Sequence, residues 1–380
     1  MNIIVKICIF CLNVIYSFIK LFKTKNKITF ISRQSNNIPI DFKLLKDDLN
    51  KRYPDYKVVI LCKDLQMGFI GKILYIFHMF RQMYHIATSK VVVLDSYCIT
   101  ISLLKHKKSL VVIQMWHALG AFKKFGYSVQ NKKEGTNTKI VKLMRMHKNY
   151  NYIFSSSPSC SKFFAQAFGY STDQVVSYPL PRLDLLKDKN YIKEINDKIL
   201  SKYPSLSKKK NILYAPTFRI NKSGIDRKKK SIDIYLDKLI NEIDFDKYNL
   251  IVKFHPLSDE QISDERVICD NEYNTTDFLN IVDYVITDYS AIIYEVAYLL
   301  KPVYFYDFDI KEYTENRDFY LDINKDMPGL VTDDPKIIIN SINNNEYDIS
   351  KIKKFSNDNI IKCKKSYTED ISDFIIKNID

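Results

Sequence analysis

Glycine is scarce in this 380-residue chain, which contains only 8 Gly. None of them lies between Gly224 and Gly329. This excludes a glycine-rich phosphate-binding loop from that stretch, and with it the usual dinucleotide-binding fingerprint. A phosphate bound by this part of the chain needs another kind of cradle, such as the N–H groups at a helix N-terminus.

Cysteine is present, but its arrangement excludes two further classes of protein. The seven Cys are scattered, and the one CxxC pair, Cys8 and Cys11, lies in an apolar run without a second pair. A structural zinc site is therefore not predicted, and the odd number argues against a disulfide framework of the secreted kind. We predict a reducing compartment.

The N-terminal apolar run is too short to cross a membrane. It reads "ICIFCLNVIYSFI" over 13 residues (7–19), whereas a spanning helix needs about 20. No small-residue cleavage site of a signal peptide follows it. On a helix, one face of this segment is apolar and the other carries Lys6, Asn13, Ser17, Lys20 and Thr24. We predict that residues 1–24 form an amphipathic helix in the membrane interface, with its lysines toward anionic headgroups. The alternative is a helix buried against the same chain.

Basic residues outnumber acidic ones, 58 to 44, and give a formal net charge of +14. Clusters such as "KHKK" (105–108) and "RKKK" (227–230) indicate a surface that favours polyanions. The candidates are anionic lipid headgroups and a phosphate-rich substrate, and the alternative is a solvated face of a lysine-rich protein. No nucleic acid is predicted as a partner, because no recognition motif accompanies the charge.

Apolar runs of strand length alternate with helical patterns, which predicts α/β architecture. The strand-like runs are 27–33, 57–63, 90–96, 110–116 and 150–157 in the first half, and 211–219, 248–256, 284–290 and 302–308 in the second. Their continuous apolar character is typical of parallel strands covered on both faces. "SYPLPRLDLLKDKNY" (177–191) interrupts the pattern, so we place a domain boundary there. The expected parts are residues 1–24, 25–180, 181–349 and a helical tail at 350–380.

The stretch "YVITDYSAIIYEVAYLLKPVYFYD" (284–307) predicts a strand, a tight turn, a helix capped by Ser290 and a second strand. Open α/β sheets bind ligands at the carboxyl ends of their strands, and helix N-termini bind phosphate. Thr287, Ser290 and the backbone N–H groups near Ala291 are therefore candidates to hold a diphosphate. The alternative is that Ser290 only caps a helix.

Two more strands of the second half end in residues suited to phosphate. "LIVKFHP" (250–256) ends in His255 and Pro256, and "ILYAPTFR" (212–219) ends in Thr217 and Arg219. Arg and protonated His match phosphate oxygens in geometry and charge. We expect these strands to bring a His, an Arg and hydroxyls to the same sheet edge as Thr287.

The only Trp of the chain lies in "IQMWHALGAFKKFG" (113–126), where a predicted strand ends at Trp116 and His117. This places His117 at the equivalent sheet edge of the first half. The ordinary pKa of His suits a general base that removes a hydroxyl proton. The alternative is a core histidine packed beside the Trp.

Seven segments, in the same order, resemble the CDP-glycerol glycerophosphotransferase family, the teichoic acid primases and polymerases of Gram-positive bacteria. They are "QMWHALGAFKKFG", "SSSPSCSKFFAQAFGY", "PLPRLD", "ILYAPTFR", "KFHP", "ITDYSAIIYEVAYLLKPVYFY" and "ENRDFYLDINKDMPGLV". The resemblance implies a GT-B-like fold, with two Rossmann-like domains facing a central cleft and the nucleotide held by the second. Ala118 and Asp318 depart from the family's usual Gly at these positions.

The resemblance implies transfer of an alditol phosphate, glycerol phosphate first of all, from CDP-glycerol or CDP-ribitol to a lipid-linked anionic glycopolymer, with release of CMP. His117 as general base and His255 at the leaving CMP would be catalytic. The residues expected to bind substrate are Trp116, Arg182, Asp184, Thr217, Arg219, Thr287, Asp288, Ser290, Ala291 and Arg317. No obligatory cofactor and no metal ligand are predicted, and stimulation by a divalent metal stays open. The enzyme would be peripheral, at the cytoplasmic face of the membrane.

Two other functions remain as alternatives to this prediction. A GT-B glycosyltransferase would share the fold and the basic surface, but it would take a sugar nucleotide and release UDP. A membrane-associated polyanion-binding protein would have no activity. In that case His117→Ala and His255→Ala would leave polymer synthesis unchanged.

Overall fold

The structure is a computed structural model that describes residues 2–65, 68–133, 135–217, 227–254, 262–316 and 318–379, without the side chains of residues 2, 227–233 and 316. The chain divides into two compact units. Unit 1 comprises Met1–Asp184 and Ile361–Asp380, and unit 2 comprises Leu185–Ile360. Each unit is built on its own parallel sheet.

The unit 1 sheet follows the predicted apolar runs, with one addition. Its strands are β1 (Lys27–Ser32), β2 (Lys57–Cys62), β3 (Val91–Leu94), β4 (Val111–Gln114), β5 (Tyr152–Ser155) and β6 (Val175–Ser177). They are parallel in the order β2-β1-β3-β4-β5-β6. Every residue of β1 and β3 is buried, as expected where helices cover both faces of a parallel sheet. The three-residue β6 is too short to form a recognisable pattern in the sequence.

Helices connect and cover these strands. They are α1 (Asn2–Ile19), α2 (Ile40–Arg52), α3 (Phe69–Ala87), α4 (Ile99–Leu103), α5 (Thr138–Leu143) and α6 (Pro158–Phe168). The predicted helix at 158–169 is confirmed with both ends as expected. The Ser157 hydroxyl caps its first turn, and Gly169, with φ of 71°, ends it in the left-handed conformation.

Unit 2 repeats the architecture. Its strands are β7 (Lys210–Ala215), β8 (Tyr248–Val252), β9 (Val267–Cys269), β10 (Tyr284–Thr287), β11 (Val303–Tyr306) and β12 (Val331–Thr332). They are parallel in the order β12-β11-β10-β7-β8-β9. The helices are α7 (Lys189–Lys202), α8 (Arg227–Glu242), α9 (Thr275–Phe278), α10 (Ile293–Tyr298), α11 (Ile310–Asn316), α12 (Pro335–Asn343) and α13 (Ile349–Asn359). Residues Leu239, Ile286 and Ile338 illustrate the core between sheet and helices.

The C-terminal segment differs from the single tail expected at 350–380. α13 belongs to unit 2, whereas residues after 360 pack on unit 1, where α14 (Tyr367–Lys377) lies. The Ile361 N–H donates to the Ser156 carbonyl at 2.9 Å. Phe374 of α14 contacts the Tyr152 and Phe154 rings at 5.1 and 5.4 Å. The apolar face of α14 thus covers the end of the first sheet.

The N-terminal helix α1 lies within the predicted residues 1–24, and its position in a membrane interface stays a prediction. Part of its polar side packs on the same chain: Asn13 bonds the carbonyl of Leu103 and the N–H of Lys105, whereas Lys6 and Ser17 are exposed. Tyr16 is buried and contacts the ring of His106. Phe10 and Phe18 on the apolar side of α1 are exposed. Among the described residues, no helix combines the length and the apolar character needed to cross a membrane.

Candidate functional site

The carboxyl ends of β1, β3 and β4 lie side by side in the unit 1 sheet. A polar residue follows each strand: Gln34 after β1, Asp95 after β3 and His117 after β4. Open α/β sheets bind ligands at this edge. His117 therefore lies where the sequence placed it, and two further polar groups join it there.

The His117 imidazole has two polar neighbours at Nδ1. Nδ1 lies 2.9 Å from the Asp95 carbonyl oxygen and 3.1 Å from the side-chain amide nitrogen of Gln34. The carbonyl oxygen only accepts, so its contact favours a proton on Nδ1, whereas the amide nitrogen donates and favours the other tautomer. The tautomer with the proton on Nδ1 has its lone pair on Nε2, and this is the form that suits a general base oriented by the backbone of the neighbouring strand.

Trp116 holds the turn that carries His117. Its φ of 64° lies in the left-handed region, which costs a residue with a side chain about 1–3 kcal/mol. Aromatic packing offsets this cost, since Trp116 stacks on Phe125 at 4.9 Å and meets the edge of Phe168 at 5.2 Å. The only Trp of the chain thus packs the turn, and its predicted contact with substrate stays a prediction.

Arg182 connects the His117 turn to α2. Its backbone N–H and its Nε donate to the Asp41 carboxylate at 2.8 and 2.9 Å, and its Nη2 joins the same carboxylate. Nη2 also donates to the His117 carbonyl at 3.3 Å. Asp41 is 2% exposed, so this ion pair is largely shielded from water. The structure gives Arg182 a positioning contact, and its predicted contact with substrate stays a prediction.

Neither Asp41 nor Asp95 was predicted from the sequence as a site residue. Asp41 follows Pro39 in the first turn of a helix, where an acidic residue indicates a helix start and not a site. Asp95 could have been recognised more readily, because it is the polar residue that ends the strand-like run "KVVVLD" (90–95). Burial raises the pKa of Asp95 to about 6, although the hydroxyls of Ser32 and Ser96 oppose the rise. A buried acid therefore lies beside the backbone that orients His117.

Asp184 fastens the C-terminal helix. Its carboxylate accepts from the N–H groups of Tyr367 and Thr368 at 2.9 and 2.8 Å, and from the Thr368 hydroxyl at 2.6 Å. These bonds satisfy the first turn of α14, whose N–H groups have no partner within the helix. The predicted contact of Asp184 with substrate stays a prediction beside this structural role.

In unit 2, β10, β7 and β8 are neighbours, which confirms that their carboxyl ends meet at one sheet edge. Two predicted site residues, Thr287 and Asp288, form hydrogen bonds that connect the neighbouring strands at this edge. The Thr287 hydroxyl donates to the Ala215 carbonyl at 2.8 Å, and the Asp288 carboxylate accepts from the Thr217 N–H at 2.9 Å. Thr287 and Asp288 are fully buried. They tie β10 to β7, whereas Thr217 is half-buried and lies at the surface of the edge.

The turn after β10 is longer than predicted. α10 begins at Ile293 with Ile292 at the N-cap position and without a side-chain cap, so Ser290 is not the residue that caps the helix. Instead, the Ser290 hydroxyl accepts from the Ile292 N–H at 3.4 Å, which forms a local side-chain turn. Ser290 and Ala291 are half-buried in this turn. Their predicted diphosphate contacts therefore involve loop groups and stay predictions.

Three predicted residues lie outside the described part of the chain: Arg219, His255 and Arg317. The described chain before the first two ends at Thr217, after β7, and at Phe254, after β8. Within the described ranges, no group of three or more His, Cys, Asp or Glu is arranged to hold a metal ion. The prediction concerning metals stays a prediction.

Comparison with known proteins adds to this geometry. The sequence profile of a family described as CDP-Glycerol:Poly(glycerophosphate) glycerophosphotransferase matches residues 14–376. The chain belongs to this family. The match contains all seven segments on which the resemblance was based, as well as both sheets.

Individual relatives agree with the family assignment. A teichoic acid ribitol-phosphate primase of Bacillus spizizenii is 32% identical over 355 residues, which cover 92% of this chain and 90% of that protein. A teichoic acid glycerol-phosphate primase of Bacillus subtilis is 33% identical over 288 residues, or 73% and 71% of the two chains. The solved structure of the wall teichoic acid polymerase TagF has a TM-score of 0.74 at 23% identity and covers 96% of this chain and 92% of that one. The predicted α/β class with two parallel, Rossmann-like sheets is confirmed.

Proposed function

We propose that this member of the glycerophosphotransferase family transfers an alditol phosphate from a CDP-alditol to a hydroxyl of a lipid-linked acceptor in teichoic acid synthesis. The acceptor oxygen forms a bond to the alditol-bearing phosphorus. The bond between that phosphorus and the bridging oxygen of the diphosphate breaks, and CMP leaves with its electron pair. The family match over 14–376 and the primases among the relatives support this reaction.

The contact between His117 and the Asp95 carbonyl is the observation that carries the proposal for this chain. In the proposed mechanism the Asp95 carbonyl accepts a hydrogen bond from Nδ1 at 2.9 Å, and the Nε2 lone pair receives the proton of the attacking hydroxyl. Arg182, held by Asp41, fixes the backbone of the same residue. Such positioning matters because phosphoryl transfer depends mainly on geometry and charge stabilisation.

The unit 2 edge supplies the donor side in this proposal. The loop N–H groups at Ser290 and Ala291, together with Thr217, bind the diphosphate oxygens. Thr287 and Asp288 hold β10 in register with β7. His255 and Arg219 follow β8 and β7 along the sequence, and we assign to them the stabilisation of the leaving CMP. Arg317 is assigned to the same substrate.

Glycerol phosphate is the transferred group that the resemblance favours, and ribitol phosphate is the second candidate. One observation favours ribitol phosphate. The alignment with the ribitol-phosphate primase spans 92% of this chain, whereas the alignment with the glycerol-phosphate primase spans 73%. We further propose that the acceptor is an anionic glycopolymer on a lipid carrier. The enzyme then works as a peripheral protein at the cytoplasmic face, without an obligatory cofactor.

The test uses the purified full-length chain with CDP-glycerol or CDP-ribitol and a synthetic lipid-linked primer. We expect CMP release and a product whose mass gain identifies the alditol and the number of units added. His117→Ala should lower the rate by about 10²–10⁴-fold, the usual contribution of a general base. His85→Gln is the matched control, because His85 contacts Lys27 at the opposite, amino end of β1. Equal rates for His117→Ala and the unmodified chain, or UDP release from a UDP-sugar, would refute the proposal.

A further inference from the structure

Arg33 is a cation at the same sheet edge as His117. It follows β1, and the next residue, Gln34, contacts the His117 ring at 3.1 Å. The Arg33 Nη1 donates to the Tyr97 carbonyl at 3.0 Å. The Arg33 Cζ lies 5.7 and 5.5 Å from the ring centres of Tyr75 and Tyr97, which is the range of cation–π contacts. The guanidinium therefore has a defined position close to the proposed general base.

The charge of Arg33 is not neutralised by the described part of the chain. Arg52 and Arg182 each pair with a carboxylate, whereas Arg33 pairs with none of the carboxylates that the structure describes. Residues 2–40 and 65–94, which include β1, α3 and β3, contain no Asp or Glu. A cation that keeps its charge at the carboxyl edge of an open sheet attracts anionic ligands.

Polar atoms beside Arg33 also lack partners. The Arg33 Nε, the Tyr75 hydroxyl and the Gln82 amide nitrogen are buried and have no hydrogen-bond partner among the described residues. Burial raises the pKa of Tyr75 to about 12, and the neighbouring Arg33 and Gln82 side chains oppose this rise. Buried polar groups in native proteins nearly always have a partner, so each one without a partner calls for an explanation. All three atoms can donate, which suits a ligand rich in acceptor oxygens.

The proposed reaction produces an anion of this kind near the attacking hydroxyl. Each transfer adds a phosphodiester and a new terminal alditol to the acceptor, and a hydroxyl of that alditol attacks in the next transfer. The phosphodiester is thus one alditol away from the oxygen that His117 deprotonates in the proposed mechanism. Arg33 is a neighbour of Gln34, which contacts the His117 ring. Its planar guanidinium matches two phosphate oxygens.

We propose that Arg33 binds the phosphodiester of the terminal alditol phosphate on the acceptor. It thereby distinguishes an acceptor that has already received a unit from one that has not. The proposal rests on the proposed function, from which it takes the acceptor. It adds a substrate-binding residue in unit 1 that the sequence did not single out. Binding in the absence of CDP-alditol tests it without any measurement of transfer, so the two proposals can fail separately.

The experiment measures binding of two synthetic lipid-linked primers to the purified full-length chain without CDP-alditol. The primers differ only in one terminal glycerol phosphate unit. The unmodified chain should bind the primer with this unit about tenfold to a hundredfold more tightly, as expected for a hydrogen bond to a charged group. Arg33→Met should abolish the preference by weakening the binding of that primer alone. Arg33→Lys should keep part of it, because Lys retains the charge but not the planar fork.

Arg266→Met is the matched control. Arg266 belongs to unit 2, is exposed and pairs with Asp264, so its substitution removes one positive charge and should leave the binding of both primers unchanged. A thermal melt checks that the Arg33 variants fold.

Equal binding of the two primers by the unmodified chain would overturn the proposal, whatever the variants do. So would an Arg33→Met variant that loses affinity for both primers equally, because this is the result expected if Arg33 only supports the segment around Tyr97. If transfer of alditol phosphate is observed together with either result, the proposed function stands and only the role of Arg33 is refuted.

Discussion

The Arg182 guanidinium lies between two partners, the Asp41 carboxylate and the carbonyl oxygen of His117. Asp41 belongs to α2 and His117 to the turn after β4, so one side chain links a helix to the proposed general base. The contact to His117 uses the backbone and leaves the imidazole to its own bond with Asp95. A residue that the sequence suggested for substrate binding therefore also positions the catalytic turn.

Asp41→Asn should lower both activity and stability. It removes the charge that pairs with Arg182, and the buried amide cannot accept all three bonds. We expect the free energy of unfolding to fall by about 2–3 kcal/mol, since one partner of a shielded pair is lost. Urea denaturation measures this. If Arg182 positions His117, kcat should fall more than KM rises, and Arg182→Lys should recover only part of the rate because Lys lacks the planar fork.

An exposed pair provides the control for that experiment. Lys193 and Asp197 form an ion pair one turn apart on α7, with side chains 79% and 62% exposed. Asp197→Asn should leave the urea midpoint close to that of the unmodified chain, because exposed ion pairs contribute little to stability. If Asp41→Asn changed kcat and the urea midpoint as little as Asp197→Asn, the positioning role of the Asp41–Arg182 pair would be refuted.

Gly126→Ala should destabilise unit 1. Gly126 has φ of 56°, and a Cβ there would lie 2.2 Å from the Ala167 carbonyl oxygen, so α6 would have to move. We expect a loss of about 2 kcal/mol or more, together with reduced activity, because the adjacent Phe125 packs on Trp116. Gly68→Ala is the comparison, since Gly68 also has positive φ, at 95°, but a Cβ there would meet nothing within 4 Å. A smaller loss for Gly126 than for Gly68 in thermal melts would contradict the clash.

Asp184→Ala should loosen the C-terminal helix. The substitution removes three hydrogen bonds to the first turn of α14. The expected loss of stability is about 2 kcal/mol, and hydrogen exchange should increase in residues 361–379 before it increases elsewhere in unit 1. Ser366→Ala removes only the side-chain cap of the same helix and should cost about 1 kcal/mol. Unchanged exchange in α14 after Asp184→Ala would show that the other packing contacts suffice.

Acid should destabilise the fold below pH 6.5. Burial lowers the pKa of His78, His85, His106 and His147 to about 4. The unfolded chain titrates near the ordinary value of about 6.5, so it binds more protons between those two values and its free energy falls relative to the native state. Asp95 opposes this, because its raised pKa of about 6 gives the native state more protons in the acidic range. Four histidines outweigh one carboxyl group.

The measurement is the urea midpoint at several pH values between 7.5 and 4.5. We expect a constant midpoint above pH 7 and a steady decrease below 6.5. His85→Gln should reduce the decrease, because it removes one of the four groups without deleting a core ring. A midpoint that stayed constant down to pH 5 would mean that these rings are hydrated in the native state.

The sequence by itself determined the longer strands, but not the short β6, β9 and β12, and it determined which residue types follow the strand ends. Runs such as 27–33 and 57–63 became β1 and β2 because buried parallel strands need continuous apolar residues. His117 at the end of β4 followed from the same pattern. The ordered motifs indicated the family, since each preserves local residue types that need no knowledge of distant contacts.

The tertiary structure alone decided which side chains meet. Asp41 and Arg182 are 141 residues apart, and no local pattern announces that they pair. Thr287 and Asp288 are buried because β10 pairs with β7, a register that strand patterns cannot reveal. For α1, periodicity separated a polar from an apolar face, but only the tertiary structure shows that Asn13 and Tyr16 pack on the same chain. Periodicity describes one element at a time, whereas burial and hydrogen bonding depend on what packs against it.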